Sequence, residues 1–180
     1  MIPKRPITEK QTEILNLLQR VIRNFNKKER YLIEHHLCER CICARFAIHM
    51  DRFLRRSQFF DYTVDNEYDR GMGGNEYGKK ILSGHDAYLD LIVHKRGYDE
   101  NIGFDNLFAI EMKWQELDFT KDKERLAALV DVHNGFGYHA SFAIRIVSDP
   151  EERKHALEIE ESFYNNSFCT TVKEELLNSL

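Results

Sequence analysis

Asn106-Leu107-Phe108-Ala109-Ile110-Glu111-Met112-Lys113 is the stretch on which the reading of this chain turns. Leu107 to Ile110 is a short apolar run that suits a buried strand. It then passes directly into charge. Strand side chains alternate between faces, so Glu111 and Lys113 project to one side while Ile110 and Met112 project to the other. A carboxylate and an ammonium at the end of an apolar strand are costly to cover unless they have a partner or a task.

Working outward, the preceding apolar segment, Tyr88 to His94, also alternates as a strand. Leu89, Leu91 and Val93 fall on one face; Asp90 falls on the other with Ile92 and His94. Residues 98 to 105 are polar and carry Gly103, which suits a hairpin connection. Such a hairpin brings Asp90 toward Glu111. Two carboxylates in one small volume repel each other and favour a divalent cation between them. Oxygen ligands of this kind suit Mg²⁺ or Mn²⁺. The chemistry that fits is phosphodiester hydrolysis, with the metal polarising a phosphoryl oxygen and lowering the pKa of a bound water. Lys113 then orients that water or stabilises charge developing on phosphorus. The plain alternative for Asp90, Glu111 and Lys113 is a structural ion-pair cluster.

Around these strands the chain has a recognisable order. Thr8-Glu9-Lys10-Gln11 has the form of a capping box, and Ile14, Leu17, Leu18, Val21 and Ile22 follow at helical spacing, predicting a helix to about Asn24. A second helix is expected from about Glu29 into the Arg52 to Arg55 region. Tyr62 to Tyr68 reads as a short strand, and the glycines between Asp69 and Gly84 as a loop without the phosphate-binding GxxxxGK[ST] form. A helix from about Asp122 to His133 and a strand from Tyr138 to Val147 follow. The remainder, from about Asp149, reads as helical. The whole is an α/β sheet layered with helices, one domain over residues 1–180.

Asp90 followed by Glu111-Met112-Lys113 on the next apolar strand resembles the PD-(D/E)xK nuclease superfamily. So do Glu39-Arg40 with Arg45-Phe46-Ala47, Asp65-Asn66-Glu67-Tyr68-Asp69-Arg70, Asp90 to Gly97, and Asp122 to Leu126. Taken together these residues resemble an uncharacterised bacterial group within that superfamily, over roughly residues 29 to 147. Leu89 stands where the family often has proline. The resemblance implies a restriction-endonuclease-like αβββαβ core over 29–147, with helical additions at 1–28 and 148–180. It implies catalytic Asp90, Glu111 and Lys113, with Asp90 and Glu111 as metal ligands. The superfamily often adds a glutamate from the first core helix, and Glu39 matches by position; Glu34 and Glu29 lie on the same expected helix and compete. The expected activity is Mg²⁺- or Mn²⁺-dependent cleavage of DNA, or of RNA. A nuclease-fold module for nucleic-acid binding or protein assembly is the alternative.

Composition sets the outer bounds. Hydrophobic residues make up 42% and charged residues 31%, an ordinary globular mixture rather than a disordered one. The apolar runs are too short to span a bilayer, and the N-terminus lacks the apolar core of a secretory signal, so a cytoplasmic location is expected. A net charge of -4 argues against indiscriminate nucleic-acid binding but leaves room for a local basic groove, to which Arg52, Arg55, Arg56, Lys79, Lys80, Lys95 and Arg96 could contribute. A homodimer is the simplest arrangement for cutting two strands. Cys38, Cys41 and Cys43 follow His35 and His36 closely, but no second CxxC completes a zinc site. They read as small buried or reduced thiols on one helix. Gln115 extends the phase of Glu111 and Lys113, and reads as a strand-end polar residue. His94 reads as packing beside the site, and Asp65 and Glu67 as lining a groove or pairing with Arg70.

Overall fold

The computed structural model describes residues 7–68, 81–82, 85–86, 89–96, 105–131, 136–152 and 154–165. Helix α1 (Glu9–Lys28) begins at the expected capping box. The Thr8 hydroxyl accepts from the Gln11 backbone N–H at 3.2 Å, and the Gln11 side-chain oxygen accepts from the Thr8 N–H at 2.8 Å. The helix runs a turn past Asn24, because Phe25 continues the apolar stripe of Ile14, Leu18, Val21 and Ile22 and is fully buried.

The single helix expected from Glu29 onward is two helices, α2 (Arg30–Glu34) and α3 (Glu39–Leu54). His36 closes α2 in the left-handed region at φ 49°. The Leu37 N–H bonds the Leu32 carbonyl and the His36 N–H bonds the Ile33 carbonyl, both at 3.0 Å, the bonding pattern of a Schellman closure. Glycine usually holds that position, and its absence hides the break from a reading of the sequence. Helix α3 then buries Ile42, Phe46, Met50 and Leu54.

Five strands form one mixed sheet in the order β1 (Thr63–Tyr68), β4 (Leu89–His94), β5 (Asn106–Trp114), β6 (Ala140–Asp149), β7 (Lys154–Tyr164). Strands β2 (Ile81–Leu82) and β3 (His85–Asp86) make a separate two-stranded ladder. Every neighbouring pair in the main sheet is antiparallel except β5 and β6. Helix α4 (Thr120–Leu129) lies between those two parallel strands in sequence, as a parallel pair requires.

Two hydrophobic clusters flank the sheet. On one face Leu91, Val93, Phe108, Ile110, Met112 and Ile144 pack with α1 and α3. On the other, Ile92, Ala109, Ala143 and Phe163 pack with Leu126 and Leu129 of α4. The alternation expected of β5 therefore holds, with Glu111 in phase with Ala109 toward α4. Leu89 departs from its expected face and joins the α4 cluster.

The C-terminal helical addition is corrected over its described part. Residues 154–164 are a strand, paired along its length with β6. Its glutamates suggest helix, but β6 needs a partner on its open side and the alternation of Leu157 and Ile159 supplies one. Residues 166–180 lie outside the described residues, as do most of the glycine-rich stretch and the 97–104 connection. No helix among the described residues is long and apolar enough to cross a membrane.

Candidate functional site

The register of the β4–β5 hairpin decides the position of Asp90. Leu91 stands opposite Ile110, so the next residue along each strand places Asp90 beside Glu111. The two carboxyls hydrogen-bond each other. One oxygen of Asp90 also accepts from the Met112 backbone N–H at 2.8 Å, which ties the acid to the neighbouring strand. From behind, the Cys43 thiol of α3 donates to the Asp90 carbonyl at 3.2 Å. This acid is held by its own backbone, by β5 and by α3.

Glu111 is buried, only 4% exposed. Burial pushes its carboxyl well above the ordinary carboxylate range; the neighbouring Asp90 charge adds to this, and the Arg125 guanidinium opposes it. Asp90 is raised as well, chiefly by burial, against the pull of the Met112 N–H and the hydrogen bond to Glu111. The pair therefore tends to retain a proton between its two carboxyls, as like charges at close range require.

Helix α4 supplies the counter-charges and a third acid. Arg125 donates to Glu111 at 2.9 Å and also to Asp122, while the Lys113 ammonium lies 2.5 Å from the other oxygen of Asp122. Burial lowers the proton affinity of Lys113, but Asp122 outweighs that, and the charges of Glu39 and Glu111 help. Arg125 leaves its Nε buried without a hydrogen-bond partner, so it is bound by one end of its fork. Neither Asp122 nor Arg125 is among the site residues expected from the sequence. A signal was present: Asp122, Leu126 and Leu129 share helical phase, and a buried acid on the inner stripe of an amphipathic helix calls for a partner.

Glu39 reaches the site from the other side of the sheet. One carboxylate oxygen accepts from the Trp114 backbone N–H at 3.0 Å, at the end of β5. It is the first residue of α3, so the N-terminal end of that helix abuts the last residue of β5. Its competitors are elsewhere. Glu29 pairs with Arg45 at 2.5 Å and His49 at 2.9 Å, and Glu34 is exposed at the end of α2. Among the described residues, no group of three or more histidine, cysteine, aspartate or glutamate side chains has the spacing to enclose a metal ion. Asp90 and Glu111 are together; Glu39 stands at the rim.

The remaining candidates are assigned by their contacts. His94 meets Asp65 at 2.8 Å, and Asp65 also binds Arg96; Arg70 and the Glu67 side chain lie outside the described residues. Gln115 donates to the Ser148 carbonyl at 3.0 Å, a structural tie. Of the basic residues, Lys95 is engaged by Asp61 and Asp105, and Arg55 by Asp51. Arg52 and Arg56 line a cavity of about 330 Å³ with Arg20 and Lys28, near the end of α3 opposite Glu39. Lys79 and Lys80 lie outside the described residues. Cys38, Cys41 and Cys43 are free thiols, within the expectation of buried or reduced thiols; Cys43 is buried, and Cys38 and Cys41 are exposed.

Comparison of the chain with protein-family models, curated proteins and solved structures gave no match in any of the three.

Proposed function

We propose that this chain is a metal-dependent nuclease of the PD-(D/E)xK type, hydrolysing phosphodiester bonds of DNA or RNA. The observation that carries the reading is the Asp90–Glu111 carboxyl pair, half-buried at Asp90 and buried at Glu111, with Lys113 two residues beyond Glu111 on the same strand. Leaving aside the separate β2–β3 ladder, the order α3, β1, β4, β5, α4, β6, with an antiparallel hairpin leading into a parallel pair, is the arrangement that such a restriction-endonuclease-like core would need.

The donor chemistry fits Mg²⁺ or Mn²⁺. Two carboxyls forced together, both with raised proton affinity, are a hard-oxygen site whose mutual repulsion a divalent cation would offset. Asp90 and Glu111 would hold the ion, and Glu39 is the candidate third carboxylate at the rim. When bound, the ion would supply Lewis acidity toward a phosphoryl oxygen and lower the pKa of a coordinated water. The chain's own residues do the rest. The Met112 N–H fixes the orientation of Asp90. Arg125 steadies Glu111 from α4. Asp122 keeps the Lys113 ammonium charged and anchored, ready to orient a water or offset negative charge on phosphorus.

The test is cleavage of single-stranded, duplex, branched and RNA substrates with Mg²⁺ or Mn²⁺, with Asp90→Ala as the control. Metal-dependent cutting lost in the variant supports the reading. Absence of cutting on every substrate, from folded protein, favours a second reading, a binding or assembly module that keeps the fold without turnover. One observation favours that alternative: Lys113 and Arg125 already furnish positive charge to Glu111 and Asp122. Calorimetric titration with Mn²⁺ separates the two, since only the enzyme needs Asp90 and Glu111 to take up metal.

A further inference from the structure

We propose that Cys38 and Cys41 are a redox site, a dithiol that closes reversibly to a disulfide across the first turn of α3. The proposal is independent of whether the acidic site cleaves nucleic acid. Cys38 is the N-cap residue of α3, and Cys41 lies in the first turn, its N–H bonding the Cys38 carbonyl at 2.9 Å. Their sulfurs are in contact at 3.1 Å, and both cysteines are exposed. A disulfide needs the sulfurs at about 2.05 Å, so closure asks for side-chain adjustment of about an ångström rather than movement of the helix. The turn is held meanwhile by Ile42, which is fully buried.

Cys43 gives an internal contrast. Two residues beyond Cys41 it is buried, with its thiol committed to the Asp90 carbonyl. Sequence spacing alone does not separate the three cysteines. Among the described residues tertiary placement does, leaving one pair that a dissolved oxidant can reach and that can resolve its own mixed disulfide; the fourth cysteine, Cys169, lies outside the described residues. Surface-exposed dithiols of this spacing are the labile, exchange-competent kind.

With a low-molecular-weight disulfide as oxidant, the reaction balances. The thiolate of one cysteine attacks a sulfur of the oxidant, forming a mixed disulfide and expelling one thiolate. The thiolate of the other cysteine then attacks the protein sulfur of that mixed disulfide and expels the second. The protein loses two thiol protons and two electrons, and the oxidant leaves as two thiols.

The ring so formed encloses Glu39 and Arg40, and its effect reaches β5. Glu39 accepts from the Trp114 N–H, and the Trp114 ring stacks on His36 at 4.8 Å between centroids. Trp114 is the only tryptophan of the chain. It therefore reports on both sides of the Cys38–Cys41 turn.

The experiment equilibrates the full chain across a series of reduced-to-oxidised glutathione ratios, blocks free thiols with iodoacetamide, and maps peptides by mass. Tryptophan emission is read in parallel. The expected result is a peptide carrying Cys38 and Cys41 that loses two hydrogens reversibly, with Cys43 still alkylated after unfolding and the emission changing over the same ratios. Cys38→Ser and Cys41→Ser, both at exposed positions, should each abolish the closed form, while Cys43→Ser should leave it intact. Cys38 and Cys41 alkylated at every ratio would overturn the proposal, as would glutathione adducts or links between chains in place of the internal bond.

Discussion

At the scale of single residues, Glu111 concentrates the tension of the site. It is buried, faces another carboxyl, and is offset by one guanidinium. Its folded-state proton affinity is raised, as is that of Asp90, so the folded chain keeps a proton that the unfolded chain has released. Stability must then fall as pH rises above the ordinary carboxylate value, about 4.3 for glutamate, until the folded pair has lost its proton. Asp65, Asp105, Glu29 and Glu160 have the opposite sign, each lowered in the folded state. Their contribution is lost as pH falls below the ordinary range, so the two effects occupy different windows. Glu111→Gln should flatten the fall toward neutral pH, measured by thermal melting between pH 5 and 8 without metal. A melting profile unchanged by the substitution would mean that the pair holds no extra proton. Lys113→Ala should retain the fold and lose cleavage by about a hundredfold or more, if the ammonium acts on the reacting phosphate; unimpaired cleavage would remove it from the chemistry.

At the scale of elements, the open side of β7 shows how two distant segments secure each other. The Asn26 side chain of α1 donates to the Leu157 carbonyl at 3.0 Å and accepts from the Leu157 N–H at 2.8 Å. Among the described residues β7 ends the sheet, and Asn26 satisfies one residue of that edge as a further strand would. Asn26→Ala removes both bonds and should cost about 1–3 kcal/mol in chemical denaturation; a loss below a few tenths would show that water replaces the amide without penalty. The start of the same helix is a separate test. Thr8→Ala breaks the capping box and should cost about 1 kcal/mol, additive with Asn26→Ala because the two lie at opposite ends of α1.

At the scale of the whole molecule, layering determines which groups meet. The face of the sheet under α4 brings together Glu111, Lys113, Asp122 and Arg125, while α3 on the other face sends Glu39 to the end of β5. A metal bound to Asp90 and Glu111 couples to folding, since the unfolded chain offers no such pair. At a hundredfold excess over its dissociation constant, Mn²⁺ should stabilise the fold by about 2.7 kcal/mol. For a chain of this size that is roughly 5–10 °C in melting temperature. The gain should vanish in Asp90→Ala, and an equal gain in that variant would place the metal elsewhere.

The sequence by itself determined the strand pair that carries Asp90, Glu111 and Lys113, because alternation in an apolar run fixes which side chains share a face. It determined the start of α1, since a capping box is a local arrangement of two side chains and two N–H groups. Tertiary structure alone decided three other things. The break at His36 has no glycine to announce it, and packing of the Leu32–Leu37 closure and of the Trp114 ring selects it. Residues 154–164 became a strand because the open edge of β6 supplied hydrogen bonds that outweigh a glutamate-rich sequence's helical preference. The partners of the acids, Asp122 and Arg125, come from a helix on another layer, and no spacing along one strand can encode what a second layer places against it.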